Sequence, residues 1–111
     1  MEVTTIPGPI GTTTIRPVGR VDLLSAPALS RHLSGAVAEG QHKLIVDLGA
    51  VSFIDSSGLA ALVSGLKSAR VAGGDLRIAG AGDQVRMVLQ LTKLDRVFGL
   101  YDTVEDAAAN Y

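Results

Sequence analysis

The sequence predicts an α/β sandwich with a mixed and mostly parallel sheet, an N-terminal antiparallel hairpin and about four helices. Three observations lead to this prediction. Two runs rich in β-branched residues open the chain and are separated by a loop of prolines and glycines. A nearly continuous apolar run follows, as expected of a central strand that is covered on both faces. Beyond it, short apolar segments alternate with stretches of helical period, which is typical of parallel crossovers.

Two strands and a helix are expected in the N-terminal part of the chain. Residues 3–6 and 12–18 are rich in β-branched side chains, and between them lie the loop-forming residues Pro7, Gly8, Pro9 and Gly11. These two segments predict the hairpin. Ser25 is expected to cap the first helix, with Pro27 tolerated in its first turn. Apolar residues then recur at helical spacing until Gly40.

The middle of the chain predicts a buried strand followed by a long helix. Residues 44–48 form an apolar run interrupted only by Asp47, which indicates a central strand. After the short stretch 52–54, the apolar period changes to that of a helix. The residues that set this period are Leu59, Leu62, Val63 and Leu66. The helix is expected to end before Gly73.

The C-terminal part predicts two more strands and two more helices. Residues 76–79 are expected to form a strand, and a glycine-rich turn separates them from the third helix. One face of that helix is lined by Val85, Val88, Leu89 and Thr92. A last short strand is expected at residues 97–100 and a terminal helix at residues 102–109. Because no repeat, linker or low-complexity segment interrupts the sequence, residues 1–111 predict a single domain.

The composition excludes several classes of function. Ten basic and eleven acidic side chains give a net charge of −1, so no positive excess is available to bind the phosphate backbone of nucleic acid. The chain has no cysteine and only two histidines, which is a poor set of metal ligands. No apolar run approaches the roughly 20 residues of a membrane span, and no signal segment opens the sequence. We therefore expect a cytoplasmic protein that needs no metal or cofactor and that binds neither nucleic acid nor membrane.

The candidate site is the stretch FIDSSGLAAL, residues 53–62, where a strand gives way to a helix. This position is the carboxyl edge of the sheet, where open α/β proteins place functional loops. The first amides of the helix lack intrahelical partners and favour a cap oxygen or a phosphoryl group. If Asp55 or Ser56 caps the helix, Ser57 faces partly outward beside Gly58, whose missing side chain would let a partner come close. Because serine and aspartate at helix starts are mostly plain caps, the motif alone does not decide its function.

Two enzymatic readings of the sequence find little support. A nucleophilic serine needs a base within hydrogen-bond reach, and neither His32 on the first helix nor His42 in a polar connection is marked as one. Asp55 also stands where a nucleophile elbow requires glycine. Residues 80–82 follow a strand and open a helix, but Val85 replaces the third glycine of a dinucleotide loop, which favours a plain turn. We therefore predict no catalytic residues and no enzymatic activity.

Three separated stretches resemble the anti-sigma factor antagonists of bacteria, which belong to the STAS domain family. They are GRVDLLSAPAL at 19–29, LIVDLGAVSFIDSSGLAAL at 44–62 and LTKLDRVFGLYDTVEDA at 91–107, and the resemblance extends over essentially the whole chain. The resemblance implies a STAS-type sandwich that works as a protein switch. In that family the unmodified antagonist binds an anti-sigma factor that is also a serine kinase, which releases the sigma factor. Phosphorylation ends the binding, and a metal-dependent serine phosphatase restores it.

The resemblance also implies roles for particular residues. Ser57 matches the phosphoacceptor, with Asp55, Ser56 and Gly58 at the neighbouring positions of the motif, and Asp22 matches an acid that lies close to the acceptor in relatives. Leucines in an exposed connection can anchor an interface, although one of the two that follow Asp22 could instead cover the core. The partner-binding surface is therefore expected to include Asp22, Leu23, Leu24, Asp55, Ser56, Ser57, Gly58 and Leu59.

The sequence departs from the family's pattern at two positions. Arg20 stands where relatives often have glutamate, which bears on the choice of partner. Lys93 replaces a common glycine, so we expect a left-handed turn to be harder to form and the third helix to end differently.

Two other functions compete with the switch. One is a STAS module that is never phosphorylated and serves as a subunit of a transport or signalling complex. The other is an independent serine hydrolase, which lacks a visible base. The free protein is expected to be a monomer.

Overall fold

The predicted hairpin, mixed sheet and four helices are all present in the structure, a computed structural model that describes residues 1–109 and 111. The strands are β1 (Glu2–Pro7), β2 (Thr13–Val21), β3 (Lys43–Asp47), β4 (Val51–Ile54), β5 (Asp75–Ala79) and β6 (Gly99–Tyr101). The α-helices are α1 (Ala26–Ala38), α2 (Ser56–Val71), α3 (Asp83–Leu91) and α4 (Val104–Ala108). The predicted fold class is therefore confirmed.

Strand β2 organises the sheet. The order is β1-β2-β3-β5-β6, with β1 antiparallel to β2 and the other pairs parallel. The first part of β2 pairs with β3, and its last three residues pair with β4 instead. This second pairing explains why β2 continues to Val21, three residues beyond the predicted end. The last strand begins at Gly99, later than predicted, because a 3₁₀ turn at Leu94–Arg96 precedes it.

A register shift between β2 and β4 determines which side chains enter the core. Gly19 pairs with Val51, but Arg20 pairs with Phe53, so Ser52 is an extra residue on β4. The shift places Phe53 beside Arg20 on the outer face, with the guanidinium carbon 4.1 Å from the ring centroid. The next residue of β4, Ile54, then lies in the core beside Val21.

Helices cover both faces of the sheet. Helices α1 and α2 enclose the larger core, whose fully buried side chains include Ile15, Leu29, Leu33, Leu44, Leu62, Leu76 and Ile78. The two helices approach closely at Gly65, where a Cβ atom would lie 2.7 Å from a methyl carbon of Leu33. On the opposite face, α4 packs against Ile45 and Ala79. The carboxyl ends of β2 and β4 are thereby held against the first turns of α1 and α2.

Lys93 forms the left-handed turn that we expected lysine to resist. Its backbone has φ 63° and ψ 12°, and its N–H donates to the carbonyl oxygen of Gln90 at 3.1 Å. The left-handed turn is therefore present although lysine, unlike glycine, makes it harder to form. Lys93 thus adopts a backbone conformation that is about 1–2 kcal/mol unfavourable for residues other than glycine.

Replacing Lys93 by glycine should therefore stabilise the protein by about 0.5–1 kcal/mol, the relief of strain being partly offset by the entropy of glycine in the unfolded chain. Thermal unfolding would show this as a rise of a few degrees in Tm. Lys93→Ala is the control, because it removes the same charge but keeps the positive φ. A Lys93→Gly protein that melts no higher than Lys93→Ala would contradict the interpretation.

Candidate functional site

Asp55 is the N-cap of α2. Its backbone is extended, and its Oδ1 accepts hydrogen bonds from the backbone N–H groups of Ser57 at 2.9 Å and Gly58 at 3.1 Å. One carboxylate oxygen thus satisfies two of the amides that a helix start leaves without partners. Ser56, the other predicted cap, is the first residue of the helix and is exposed. Of the two caps that the sequence allowed, Asp55 is the one found in the structure.

Ser57 lies in the first turn of α2 and is half-buried. Its hydroxyl makes no hydrogen bond within residues 1–109 and 111. It lines a groove between α1 and α2 whose other lining residues are Leu23, Ala26, Pro27, Ser30, Ala60 and Ala61. The acceptor candidate is therefore reachable from solvent, free of internal partners, and placed beside a mostly apolar groove that has no charged lining residue.

Gly58 and Leu59 lie beneath this surface. A Cβ atom on Gly58 would lie 2.6 Å from a side-chain carbon of Ile54 and 2.6 Å from the carbonyl oxygen of Val21. Leu59 is 6% exposed and belongs to the core. We expected the missing side chain of Gly58 to admit a partner, but the structure gives an internal reason for glycine, the direct packing of α2 on β2 and β4. These two residues support the surface from within.

The loop after β2 is held by the side chains of Asp22 and Ser25. Asp22 Oδ1 accepts from the N–H groups of Leu24 at 3.1 Å and Ser25 at 3.2 Å. The Ser25 hydroxyl donates to the carbonyl oxygen of Arg20 at 2.6 Å and accepts from the Asp22 N–H at 2.9 Å. Ser25 is the N-cap residue of α1, as predicted, but its side chain accepts no hydrogen bond from the first amides of that helix and instead bridges the loop.

Asp22 is stabilised in its charged form. Partial desolvation acts to raise its pKa, but the hydrogen bonds from Ser25 and Leu24, together with the charge of Arg20, lower the pKa on balance. The Arg20 Nε lies 3.7 Å from Asp22 Oδ2. A carboxyl whose pKa is lower in the folded than in the unfolded state stabilises the fold above about pH 4 and loses that contribution as pH falls through the lowered pKa. At neutral pH the loop therefore carries a negative charge.

The structure brings the two predicted parts of the site together. The Asp55 N–H donates to the carbonyl oxygen of Val21 at 3.2 Å, so the loop that starts at Asp22 lies alongside the first turn of α2. Leu23 and Ser57 line the same groove. Leu23 is 72% and Leu24 90% exposed, so neither covers the core.

Gln84, on α3, is a residue of the site that sequence reasoning missed. Its Oε1 accepts from the Ile54 N–H at 3.0 Å, and its Nε2 donates to the Ile54 carbonyl oxygen at 3.1 Å. The side-chain amide thereby pairs with the outer edge of β4, immediately before Asp55. Gln84 is 30 residues from Ile54 in the sequence, and nothing in the local pattern around it marks this contact.

Within residues 1–109 and 111, no group of three or more histidine, aspartate or glutamate side chains is placed to hold a metal ion. Over the same described part of the chain, none of the helices combines the length and apolar character that crossing a bilayer requires.

Comparison with known proteins shows a consistent set of relatives. The STAS domain family matches residues 1–107. A putative anti-sigma factor antagonist of Thermotoga maritima is 38% identical over 69 residues, which are 62% of this chain and 61% of that protein, so the chain spans less than two thirds of its length. The anti-sigma-F factor antagonist RsfB of Mycobacterium tuberculosis is 32% identical over 91 residues, 80% of this chain and 72% of that one.

Similar solved structures agree with this result. An anti-sigma factor antagonist from Mycobacterium paratuberculosis is 31% identical and superposes with a TM-score of 0.84, over 97% of this chain and 92% of that chain. Its fold and the family match extend over nearly all the residues that form the sheet, the helices and the site. The chain therefore belongs to the STAS domain family and, within it, to the anti-sigma factor antagonists, which are binding proteins rather than enzymes.

Proposed function

We propose that this protein is a phosphorylation-controlled antagonist. In its unmodified form it binds an anti-sigma factor that is also a serine kinase, and the sigma factor is released. Phosphorylation of Ser57 ends the binding, and a serine phosphatase restores it. The observation that carries the proposal is the Ser57 hydroxyl, which lies half-exposed at the positive end of α2, has no hydrogen-bond partner in the described chain, and opens onto an apolar groove.

The unmodified surface suits a protein partner. Leu23 and Leu24 extend from a loop whose backbone is already fixed by Asp22 and Ser25, so little conformational freedom is lost on binding. Apolar side chains exposed next to an apolar groove are typical anchors of an interface. The proposed contact surface consists of Asp22, Leu23, Leu24, Asp55, Ser56 and Ser57, with Gly58 and Leu59 supporting it from beneath.

A phosphoryl group on Ser57 would be poorly compensated. It adds about −1.5 to −2 charge and three oxygens at the mouth of the groove. The amides that could offset this charge are largely in use, because Ser57 and Gly58 donate to the Asp55 carboxylate and Leu59 donates to the Asp55 carbonyl oxygen. Asp55 itself is a neighbouring negative charge. A partner would therefore have to desolvate a dianion that the protein does not neutralise, which disfavours the complex.

The test of this proposal is phosphoryl transfer by a serine-kinase anti-sigma factor. Incubation with that kinase and ATP should add one phosphoryl group, located by mass spectrometry on the peptide that contains Ser57. Ser56→Ala should be modified like the natural protein, and Ser57→Ala should remain unmodified. If the kinase binds but leaves Ser57 unmodified, that result supports the competing function. In that function the protein is a STAS subunit that is never phosphorylated and acts in a transport or signalling complex.

Leu24 provides a test of the contact surface. Leu24→Ser should weaken binding of the kinase by at least about tenfold, or about 1.4 kcal/mol, because the side chain is exposed in the free protein and would be buried in the complex. The Tm of the Leu24→Ser protein should not fall, since Leu24 makes no contribution to the core. Leu91→Ser, which removes another exposed leucine at the end of α3 remote from Ile54, is the control. Equal affinities of the two variants, measured by calorimetry, would place the contact elsewhere.

A further inference from the structure

We infer that Gln84 is a positioning residue for Ser57. The inference rests on the proposed function only for the experiment that measures phosphoryl transfer. Through its side-chain amide, Gln84 fixes the end of β4 and with it the turn that presents the Ser57 hydroxyl. Neither the resemblance to known antagonists nor the sequence pattern points to this residue. The contacts around the Ile54–Asp55 peptide do.

The outer edge of β4 requires such a partner. β4 has four residues and, among the described strands, pairs with β2 along one side only. Ile54 is 1% exposed, so water cannot readily serve the N–H and C=O groups that face away from β2. A glutamine amide carries both a donor and an acceptor, and Gln84 uses both on Ile54, at 3.0 and 3.1 Å. The side chain thus takes the place of a neighbouring strand for one residue.

This contact leads directly to the acceptor. The Ile54 carbonyl and the Asp55 N–H belong to the same peptide unit, and the first accepts from Gln84 while the second donates to the carbonyl oxygen of Val21 at 3.2 Å. Both ends of that peptide are therefore held, from α3 on one side and from β2 on the other. The next step is the Asp55 carboxylate, which holds the amides of Ser57 and Gly58. Of these supports, the Gln84 contact is the one made by a side chain from another helix.

Hydrogen exchange tests the inference without any kinase. Gln84→Met keeps the size of the side chain and its helix propensity but removes both hydrogen bonds. Exchange of the backbone amides of Ile54, Ser57 and Gly58 should become at least about tenfold faster, relative to that of Ile45 and Val46 in β3, which report global unfolding. The matched control is Gln90→Met on the same helix, where the exposed glutamine makes no side-chain hydrogen bond within the described residues. This control should leave all of these amides unchanged.

Either of two results would overturn the inference. One is unchanged exchange at Ser57 and Gly58 in Gln84→Met. The other is acceleration by the same factor in β3, which would mean that Gln84 affects only global stability.

Phosphoryl transfer gives a second measurement, which would not change in the expected way if Gln84 had a merely structural role. With the serine-kinase anti-sigma factor, Gln84→Met should lower kcat for modification of Ser57 about tenfold while KM stays close to that of the natural protein, because Leu23 and Leu24 remain in place. A rise in KM with unchanged kcat would contradict the positioning role. If the kinase does not modify Ser57 in the natural protein, the proposed function fails, and the exchange measurement alone decides whether Gln84 holds the turn.

Discussion

Ser57→Asp should bind the anti-sigma kinase at least about 100-fold more weakly than the unmodified protein, a loss of about 2.7 kcal/mol, whereas Ser57→Ala should bind it constitutively. The aspartate places a charge at the mouth of the apolar groove, beside the Asp55 carboxylate that already holds the nearby amides. The alanine keeps the groove and cannot be phosphorylated. Because Asp55 caps the helix through the backbone N–H of residue 57, neither substitution removes that cap.

The control for charge alone is Ser56→Asp. Ser56 is exposed in the same turn and does not line the groove, so its aspartate adds an equal charge within the contact surface but outside the groove. A carboxylate in the first turn of a helix is also favourable to the helix dipole. We expect Ser56→Asp to lose much less affinity than Ser57→Asp in isothermal titration calorimetry. If Ser57→Ala and Ser57→Asp bind equally well, repulsion of the partner at this position is not the mechanism.

Gly58→Ala should destabilise the protein by about 2–3 kcal/mol. The added Cβ would lie 2.6 Å from both a carbon of Ile54 and the carbonyl oxygen of Val21, and 2.8 Å from a methyl carbon of Val21. These atoms belong to buried residues and to backbone in β2 and β4, so they cannot move aside without shifting α2 from the sheet. The gain in helix propensity from glycine to alanine, up to about 1 kcal/mol, offsets only part of this cost.

Gly35→Ala is the matched control for that prediction. Gly35 is also a helical glycine, but it is exposed on α1, and beyond its chain neighbours and the backbone of its own helix an added Cβ would meet no atom within 4 Å. Its substitution should stabilise the protein by about 0.5–1 kcal/mol. Urea unfolding of the two variants should therefore show changes of opposite sign. A Gly58→Ala protein as stable as Gly35→Ala would mean that α2 does not pack on β2 and β4 as closely as the distances indicate.

Much of the fold could be predicted because its signals are local. The apolar run at residues 44–48 identified β3, and the change to helical spacing after residue 54 identified α2, because a strand and a helix place apolar residues at different periods. Asp55 was one of two predicted caps for the same reason, since a cap bonds amides only two or three residues away.

The features that could not be predicted depend on contacts between distant residues. The extra residue Ser52 in the pairing of β2 with β4 sends Ile54 into the core, and that register follows from the packing of the whole sheet. The reason for glycine at position 58 lies in Val21, across the strand-to-helix turn. Gln84 reaches Ile54 from another helix. Ser25 holds the predicted N-cap position, but the sequence does not show that its hydroxyl bonds back to the end of β2 instead of to the helix.

The most direct test of the switch compares two affinities of the anti-sigma kinase. One is its affinity for the unmodified protein, and the other is its affinity for the protein phosphorylated on Ser57. Calorimetric titration should show tight binding of the unmodified form and a loss of about 5.5 kcal/mol on phosphorylation, the amount that moves a two-state equilibrium from almost fully bound to almost fully free. Equal affinity of the two forms would show that Ser57 does not control the interaction.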